Sequence, residues 1–374
     1  MTVDRALLKV THLIHDLRPG GAEHLLVDLA GIAEQAGMEI SVVSMRPLVD
    51  HRYAGQLSAA GVRLESLGLA GWWDPRGAVR LRRLLPELRP DILHSHLKHA
   101  DVVAGRVATA AAIPHVSTLH LIEDGSGWRA TRKRDLAIKS RLRTAAVTIA
   151  VSDAVRDWYL AVSGAAAESV VTIHNGVPDP SKSGAGATDG VRAEFGIADE
   201  ALLAVMVAVM RPGKGHDVLL DAIGYLEHEG LVFLLAGDGP DSSAVRARAA
   251  GTDQVVVAGF RDDVARLLSA ADLVVHPSTT DALPTALVHA IAAGRPIVAS
   301  GVGGIPEIIS LGCGELVAPG DPVALANAID RLAGDAVARS EMGERARQRY
   351  EQEFTAGMWA DRLCDLYSGL LERC

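Results

Sequence analysis

Lys214 stands between two glycines in Arg211-Pro212-Gly213-Lys214-Gly215, after an apolar run at 201–210 and before a helical pattern that starts at His216. Glycines and cations between a strand and a helix suit an anion. The backbone N–H groups of such a turn hold oxygens, while Arg and Lys neutralise charge. A diphosphate would use both. An exposed turn with nothing bound is the plainer alternative.

The second chemistry-bearing stretch is 272–309, DLVVHPSTTDALPTALVHAIAAGRPIVASGVGGIPEII. Its pattern predicts a strand at 272–276, a turn at Pro277-Ser278-Thr279-Thr280, and a helix over 285–293. Pro284 sits at the start of that helix and Gly294 just past its end. Another buried strand follows at 295–300, and Gly303-Gly304 opens a helix at Ile305. A strand-turn-helix unit points N–H groups out of the carboxyl edge of a sheet. Thr280, Asp281, Thr285 and His289 gather in the turn and the helix after it.

Near the start, Arg18-Pro19-Gly20-Gly21 separates a strand at 9–17 from a helix at 22–36. Gly20 and Gly21 would let a phosphate approach the helix N-terminus. The full GxGxxG pattern is missing, so a dinucleotide site is a poor reading. His94, His96, Lys98 and His99 crowd the end of one strand and His120 closes the next. No carboxylate or cysteine accompanies the first group in sequence, so a metal site is a weak reading.

These residues need elements to position them, and strand and helix patterns alternate along the chain. Strands are predicted at 39–45, 63–69, 91–96, 115–121, 147–152, 170–173, 231–236 and 254–259. Helices are predicted at 52–60, 76–88, 100–112, 153–162, 262–271, 321–333, 336–353 and 355–371. Such alternation specifies parallel sheets covered by helices on both faces. A segment rich in Pro, Ser and Gly, 178–190, marks a linker, so a first domain covers 1–177 and a second 191–354.

With 374 residues, 49% of them apolar and 22% charged, the chain is an ordinary globular protein of about two domains. No apolar run reaches the ~18–20 residues of a membrane span, and the first residues lack a leader pattern. Cys313, Cys364 and Cys374 have no metal spacing and build no disulfide framework. These features point to a cytoplasmic protein. The net charge of −9 is uneven: residues 1–175 carry 21 Lys and Arg against 18 Asp and Glu, whereas 176–374 carry 16 against 28. A nucleic-acid reader would be more basic. An anionic acceptor or the inner face of a membrane could meet the first half, through Arg80, Arg82 and Arg83, the basic run at 129–143, and Trp72-Trp73.

The stretch 272–309 resembles the donor-binding segment of the family 4 retaining, nucleotide-sugar-dependent glycosyltransferases. Their pattern there is PS..EG.P.ALLEA.A.G.PVVAS.VGG.PEI, and the likeness runs through nearly the whole chain. It departs at the two glutamates: Asp281 holds the first position and His289 the second. The resemblance implies the GT-B fold, two doubly wound Rossmann-like α/β domains facing a central cleft, with a last helix at 355–374 returning to the first domain. It also implies a sugar moved from a nucleoside diphosphate sugar to an acceptor hydroxyl with retained configuration, as in the synthesis of glycoconjugates, polysaccharides or glycolipids.

By the same resemblance, His120, Arg211, Lys214 and Asp281 take catalytic positions. Gly20 and Gly21 touch the diphosphate, and Phe260 and Arg261 meet the nucleotide base largely through backbone. Leu283, Pro284, Thr285, Ala286 and Leu287 line the donor, and His289 stands where the second glutamate binds the ribose. No cofactor and no metal are expected, and no nucleic-acid partner. Retention comes from the resemblance alone, since Asp281 shows no mark of a covalent nucleophile. Two rivals fit some of the same residues: a nucleotide-sugar epimerase or phosphorylase on this fold, and a non-catalytic nucleotide-sugar binder.

Overall fold

A computed structural model of the chain describes residues 7–18, 20–48, 52–71, 74, 76–123, 127–182, 188 and 190–373. Two compact units emerge, Met1–Asn175 with Ala356–Cys374, and Gly176–Thr355.

In the first unit, β1 (Leu8–Ile14), β2 (Met38–Ser44), β3 (Arg63–Ser66), β4 (Ile92–His96), β5 (His115–Leu119), β6 (Val147–Ala150) and β7 (Val170–Thr172) form one sheet. Its order is β3-β2-β1-β4-β5-β6-β7 and every pairing is parallel. Side chains alternate between the faces with period two. Val10 and Ile14 pack on one face with Leu25 and Leu29 of the helix Gly21–Ala30 and with Trp359, Leu363 and Tyr367 of the helix Ala356–Leu371. Leu13 and Leu93 pack on the other, against Leu81 and Ala104. The last helix is thus part of the first unit's core.

The second unit holds β8 (Leu202–Val207), β9 (Leu231–Ala236), β10 (Val255–Gly259), β11 (Leu273–His276), β12 (Ile297–Ser300) and β13 (Gly314–Val317). These form a second parallel sheet, ordered β10-β9-β8-β11-β12-β13. Both sheets reverse their direction of winding beside the first strand, between β1 and β4 and between β8 and β11. Ligands of doubly wound sheets bind outside the carboxyl ends of the strands at that switch point.

Several element boundaries differ from the sequence pattern. The first helix stops at Ala30 rather than 36, because residues 31–37 turn tightly before Met38 bonds back to Ala33 O. The first strand stops at Ile14, and β8 is shorter than 201–210. Ala208 and Met210 leave β8 but still donate to Ala236 O and Asp238 O. Neither β13 nor the helix Ser242–Ala249 is anticipated, since β13 is only half-buried and the helix has a weak apolar stripe. Asp179 of the linker is anchored by Arg347 at 2.6 and 3.0 Å. Trp72, Trp73, Pro19, Cys374, residues 183–187 and residue 189 lie outside the described residues.

Candidate functional site

The strand β8 delivers the Lys214 turn and β11 delivers the Asp281 turn, so the switch point of the second sheet brings the two together. Lys214 Nζ is 2.6 Å from Asp281 Oδ2. The turns are pressed against each other. Thr279 N donates to Gly213 O at 2.9 Å. Gly215 has φ +77°, and a Cβ there would lie 2.0 Å from Pro277 O, so only glycine allows this approach.

His276, the last residue of β11, places Nε2 3.0 Å from the same Asp281 oxygen and 3.0 Å from Ser278 Oγ. An ionised carboxylate can only accept, so His276 carries its proton on Nε2. Burial by itself would raise the pKa of Asp281. The bond from His276 and the charge of Lys214 outweigh it, and the carboxyl is held well below its usual range. His216, directly behind the turn, is pushed by burial to about 4 and is neutral at pH 7. Lys214 and Asp281 form an ion pair here, both side chains largely buried.

The helix Thr285–Ala292 starts beside them. Its N-cap is Pro284, and Leu287 N turns back to Pro284 O at 3.0 Å. The N–H groups of Thr285 and Ala286, with no carbonyl one turn back, make no hydrogen bond among the described residues. Leu283, Pro284 and Leu287 are buried supports. His289 lies four residues after Thr285, on the same helix face, and is buried.

Arg211 is exposed, and its guanidinium makes no hydrogen bond among the described residues. Phe260 is exposed as well. Arg261 is committed to Asp263 and Glu194, each at 2.6 Å, and lies over the Phe195 ring. What it retains for a ligand is its backbone.

In the first unit, β1 ends at Ile14 and the helix Gly21–Ala30 begins after Gly20. Gly20 is extended, with φ −171°, and serves as N-cap without a side-chain bond. No left-handed backbone demands glycine at position 20. A Cβ would meet only the flexible end of Glu23. Gly21 is the exposed first residue of the helix.

His120 follows β5 and is half-buried, with Nε2 2.9 Å from His96 Nδ1. The group suspected from sequence at 94–99 is not brought to one point. His94 and His96 turn inward, whereas the His99 ring lies tilted against that of His15, centroids 4.6 Å apart, and Lys98 pairs with Glu123 at 3.2 Å. His12 of β1 joins His94 and His96 instead, and nitrogens of the three lie within 4.8 Å of one another.

Sequence reasoning passed over His276, Ser278 and His12. His276 was findable, five residues before Asp281 at the end of a predicted strand. His12 was findable only by parity with His94 once β1 and β4 are known to be neighbours.

Two doubly wound parallel units, with polar side chains gathered at their switch points, define an architecture that binds nucleotides and transfers groups from them. Residues 201–335 match the model of the glycosyl transferases group 1, and residues 19–179 match that of glycosyltransferase family 4. An alpha-maltose-1-phosphate synthase of Mycobacterium tuberculosis is 29% identical over 309 residues, 74% of this chain and 78% of that one. A putative teichuronic acid biosynthesis glycosyltransferase of Bacillus subtilis, TuaC, is 29% identical over 284 residues, 75% and 71%. The crystal structure of Anabaena HepE with UDP-glucose superposes with a TM-score of 0.83 at 23% identity, covering 97% and 100%. The chain belongs to the family 4 glycosyltransferases of the GT-B fold, and its activity is that of a glycosyltransferase.

Proposed function

We propose that the chain transfers a hexosyl group from a nucleoside diphosphate sugar to an acceptor hydroxyl with retained configuration. The observation that carries this reading is the Lys214–Asp281 pair at the switch point of the second sheet, beside the N–H groups of Thr285 and Ala286, which have no partner among the described residues. Breaking the sugar–phosphate bond leaves a diphosphate that gains negative charge. Fixed positive groups that meet it there lower the barrier most.

Lys214 exchanges its carboxylate for a phosphate oxygen, Arg211 closes on the same phosphates from solvent, and the helix start supplies two backbone donors. The Gly20-Gly21 turn offers further N–H groups, Phe260 and the Arg261 backbone meet the base, and His120 hydrogen-bonds the sugar. The reading asks for no metal, because Lys214 and Arg211 bring the positive charge. Relatives named an alpha-maltose-1-phosphate synthase and a putative teichuronic acid biosynthesis glycosyltransferase support a sugar or glycan acceptor.

Thermal stabilisation by a panel of nucleotide sugars tests the reading, with UDP-glucose first because HepE was crystallised with it. A ligand at 100 times its Kd adds roughly 2.7 kcal/mol. No stabilisation by any member, with no transfer, would overturn it.

His289 replaces a carboxylate by a group with at most one acceptor lone pair, so a ribose held there keeps only part of the contact. His289→Glu should tighten donor binding, read as a lower Kd by calorimetry. An unchanged Kd in both His289→Glu and His289→Ala places the ribose elsewhere.

An acceptor carried by a membrane would engage the exposed side of the helix Trp128–Thr144, where Trp128, Arg129, Arg132, Lys139 and Arg143 face solvent. Arg82 and Arg83 are exposed too. Arg141 is removed from that patch: it is buried against Asp101 at 2.6 Å. Arg80 is tied to the carbonyls of Leu67 and Gly68. Among the described residues no helix is long and apolar enough to cross a membrane, so contact would be peripheral. Liposomes containing phosphatidylserine should bind the chain at low salt and release it as salt rises. Indifference at low salt assigns the acceptor to solution.

A further inference from the structure

Positions 12, 94, 96 and 120 share the parity of Val10, Ile92 and Val116, so these four histidines share one face of the first sheet. Three of them form a row. His12 Nδ1 is 2.9 Å from His96 Nε2, and His96 Nδ1 is 2.9 Å from His120 Nε2. Burial depresses all three, His12 to about 3, His120 to about 4 and His96 well below its usual value, so each is neutral at pH 7.

A neutral imidazole carries one N–H and one lone pair. Each bond in the row therefore fixes the next, and only two arrangements exist. Either every ring is protonated on Nδ1 and donates toward His120, or every ring is protonated on Nε2 and donates toward His12.

The ends of the row decide between them. His12 Nε2 is buried without a partner. In the second arrangement it would be an orphaned N–H; in the first it is a lone pair left unmet, the lesser defect. At the other end His120 is half-buried, and its Nδ1 makes no hydrogen bond among the described residues. An N–H there can be met by water or ligand.

The surroundings leave the choice to the row. His94 bonds Tyr367 Oη and Thr118 Oγ1, each at 2.7 Å, and both partners can donate or accept. Leu25, Leu29, Trp359 and Leu363 line the pocket with apolar surface, and the buried Asn175 beside them has an amide that can donate or accept. The charge of Asp101 opposes the effect of burial on His120 and does not overcome it.

We propose that His96 and His12 are positioning residues that hold His120 in its Nδ1–H tautomer, so that it meets the donor's sugar as a hydrogen-bond donor. The sugar contact rests on the function proposed above; the tautomer does not. A His120 free to change tautomer would at times offer the sugar a lone pair in place of an N–H, and the direction of the contact would not be fixed.

The test is ring-nitrogen NMR of the full chain labelled with 15N at histidine, without ligand, assigned through single His→Phe variants. Protonated Nδ1 and bare Nε2 are expected at His12, His96 and His120. Nε2–H at His96 and His120, or an imidazolium at any of the three, overturns the proposal. In His96→Phe, which keeps a ring in the core and removes both bonds, a second tautomer should appear at His120. Its kcat should fall roughly 10–100-fold, the range over which partners behind a functional imidazole act, with the donor KM changed far less. A single Nδ1–H at His120 in that variant removes His96 from the role. If His96→Phe does not fold, His96→Leu replaces it, and the second tautomer should then appear at His120. Transfer at the parent rate by His120→Phe would overturn the sugar contact, leaving the tautomers to be decided by the spectra.

Discussion

Lys214→Ala is expected to lower kcat roughly 10²–10³-fold, about 2.7–4 kcal/mol of barrier, as for other fixed groups that meet a developing anion. The physical reason lies in the pairing seen without donor. Lys214 Nζ sits on Asp281 at 2.6 Å, so the ammonium is already desolvated and already aimed at the turn where the diphosphate would lie. Its contribution grows as the leaving group gains charge, and the loss should therefore fall on kcat more than on KM. Lys214→Arg keeps the charge and should recover part of the rate. Circular dichroism controls for folding, because the variant leaves Asp281 with His276 as its side-chain partner at that oxygen. Steady-state turnover near the parent value in a folded Lys214→Ala protein would remove Lys214 from the chemistry.

The second large effect is on stability. Asp281→Ala strands a largely buried ammonium and deprives His276 of its carboxylate. Breaking one partner of a buried pair costs on the order of 3–5 kcal/mol. For a domain of this size that corresponds to a fall in Tm of roughly 6–20 °C.

The pH dependence has a definite sign. The folded pKa of Asp281 lies below the unfolded value of about 3.9, so its stabilisation is complete above that value and is lost as pH falls through the folded pKa. The gap in Tm between parent and variant should be steady from pH 7 to about 5 and should narrow below about 4. Calorimetric scans at several pH values read this directly. A gap that widens on acidification would mean that Asp281 is not held ionised.

Much of the framework is legible in the residues. Alternation of apolar runs with amphipathic stretches specifies parallel sheets, and Pro284 with Gly294 brackets its helix to within two residues. The glycines around Lys214 predict a turn, and the structure supplies the reason: two of them have positive φ, and a Cβ at Gly215 would collide with Pro277 O. Local chemistry of this kind is written locally, since it depends on φ, on hydrogen-bond donors and on period.

Tertiary structure alone decided which distant residues meet. Lys214 and Asp281 are 67 positions apart and touch because β8 and β11 are neighbours, a strand order that no local pattern encodes. The same holds for His12 and His96, 84 positions apart, which share a hydrogen bond because β1 lies beside β4. Burial is likewise a property of the packed whole. Arg141 sits in a basic run that looks solvated, yet its helix turns it inward onto Asp101, whereas Arg129 and Arg132 of the same run stay in water. Sequence determined the elements, the turns and the residue types at their ends. Their partners and protonation states follow from parallel pairing and desolvation, which exist only once the sheets are assembled.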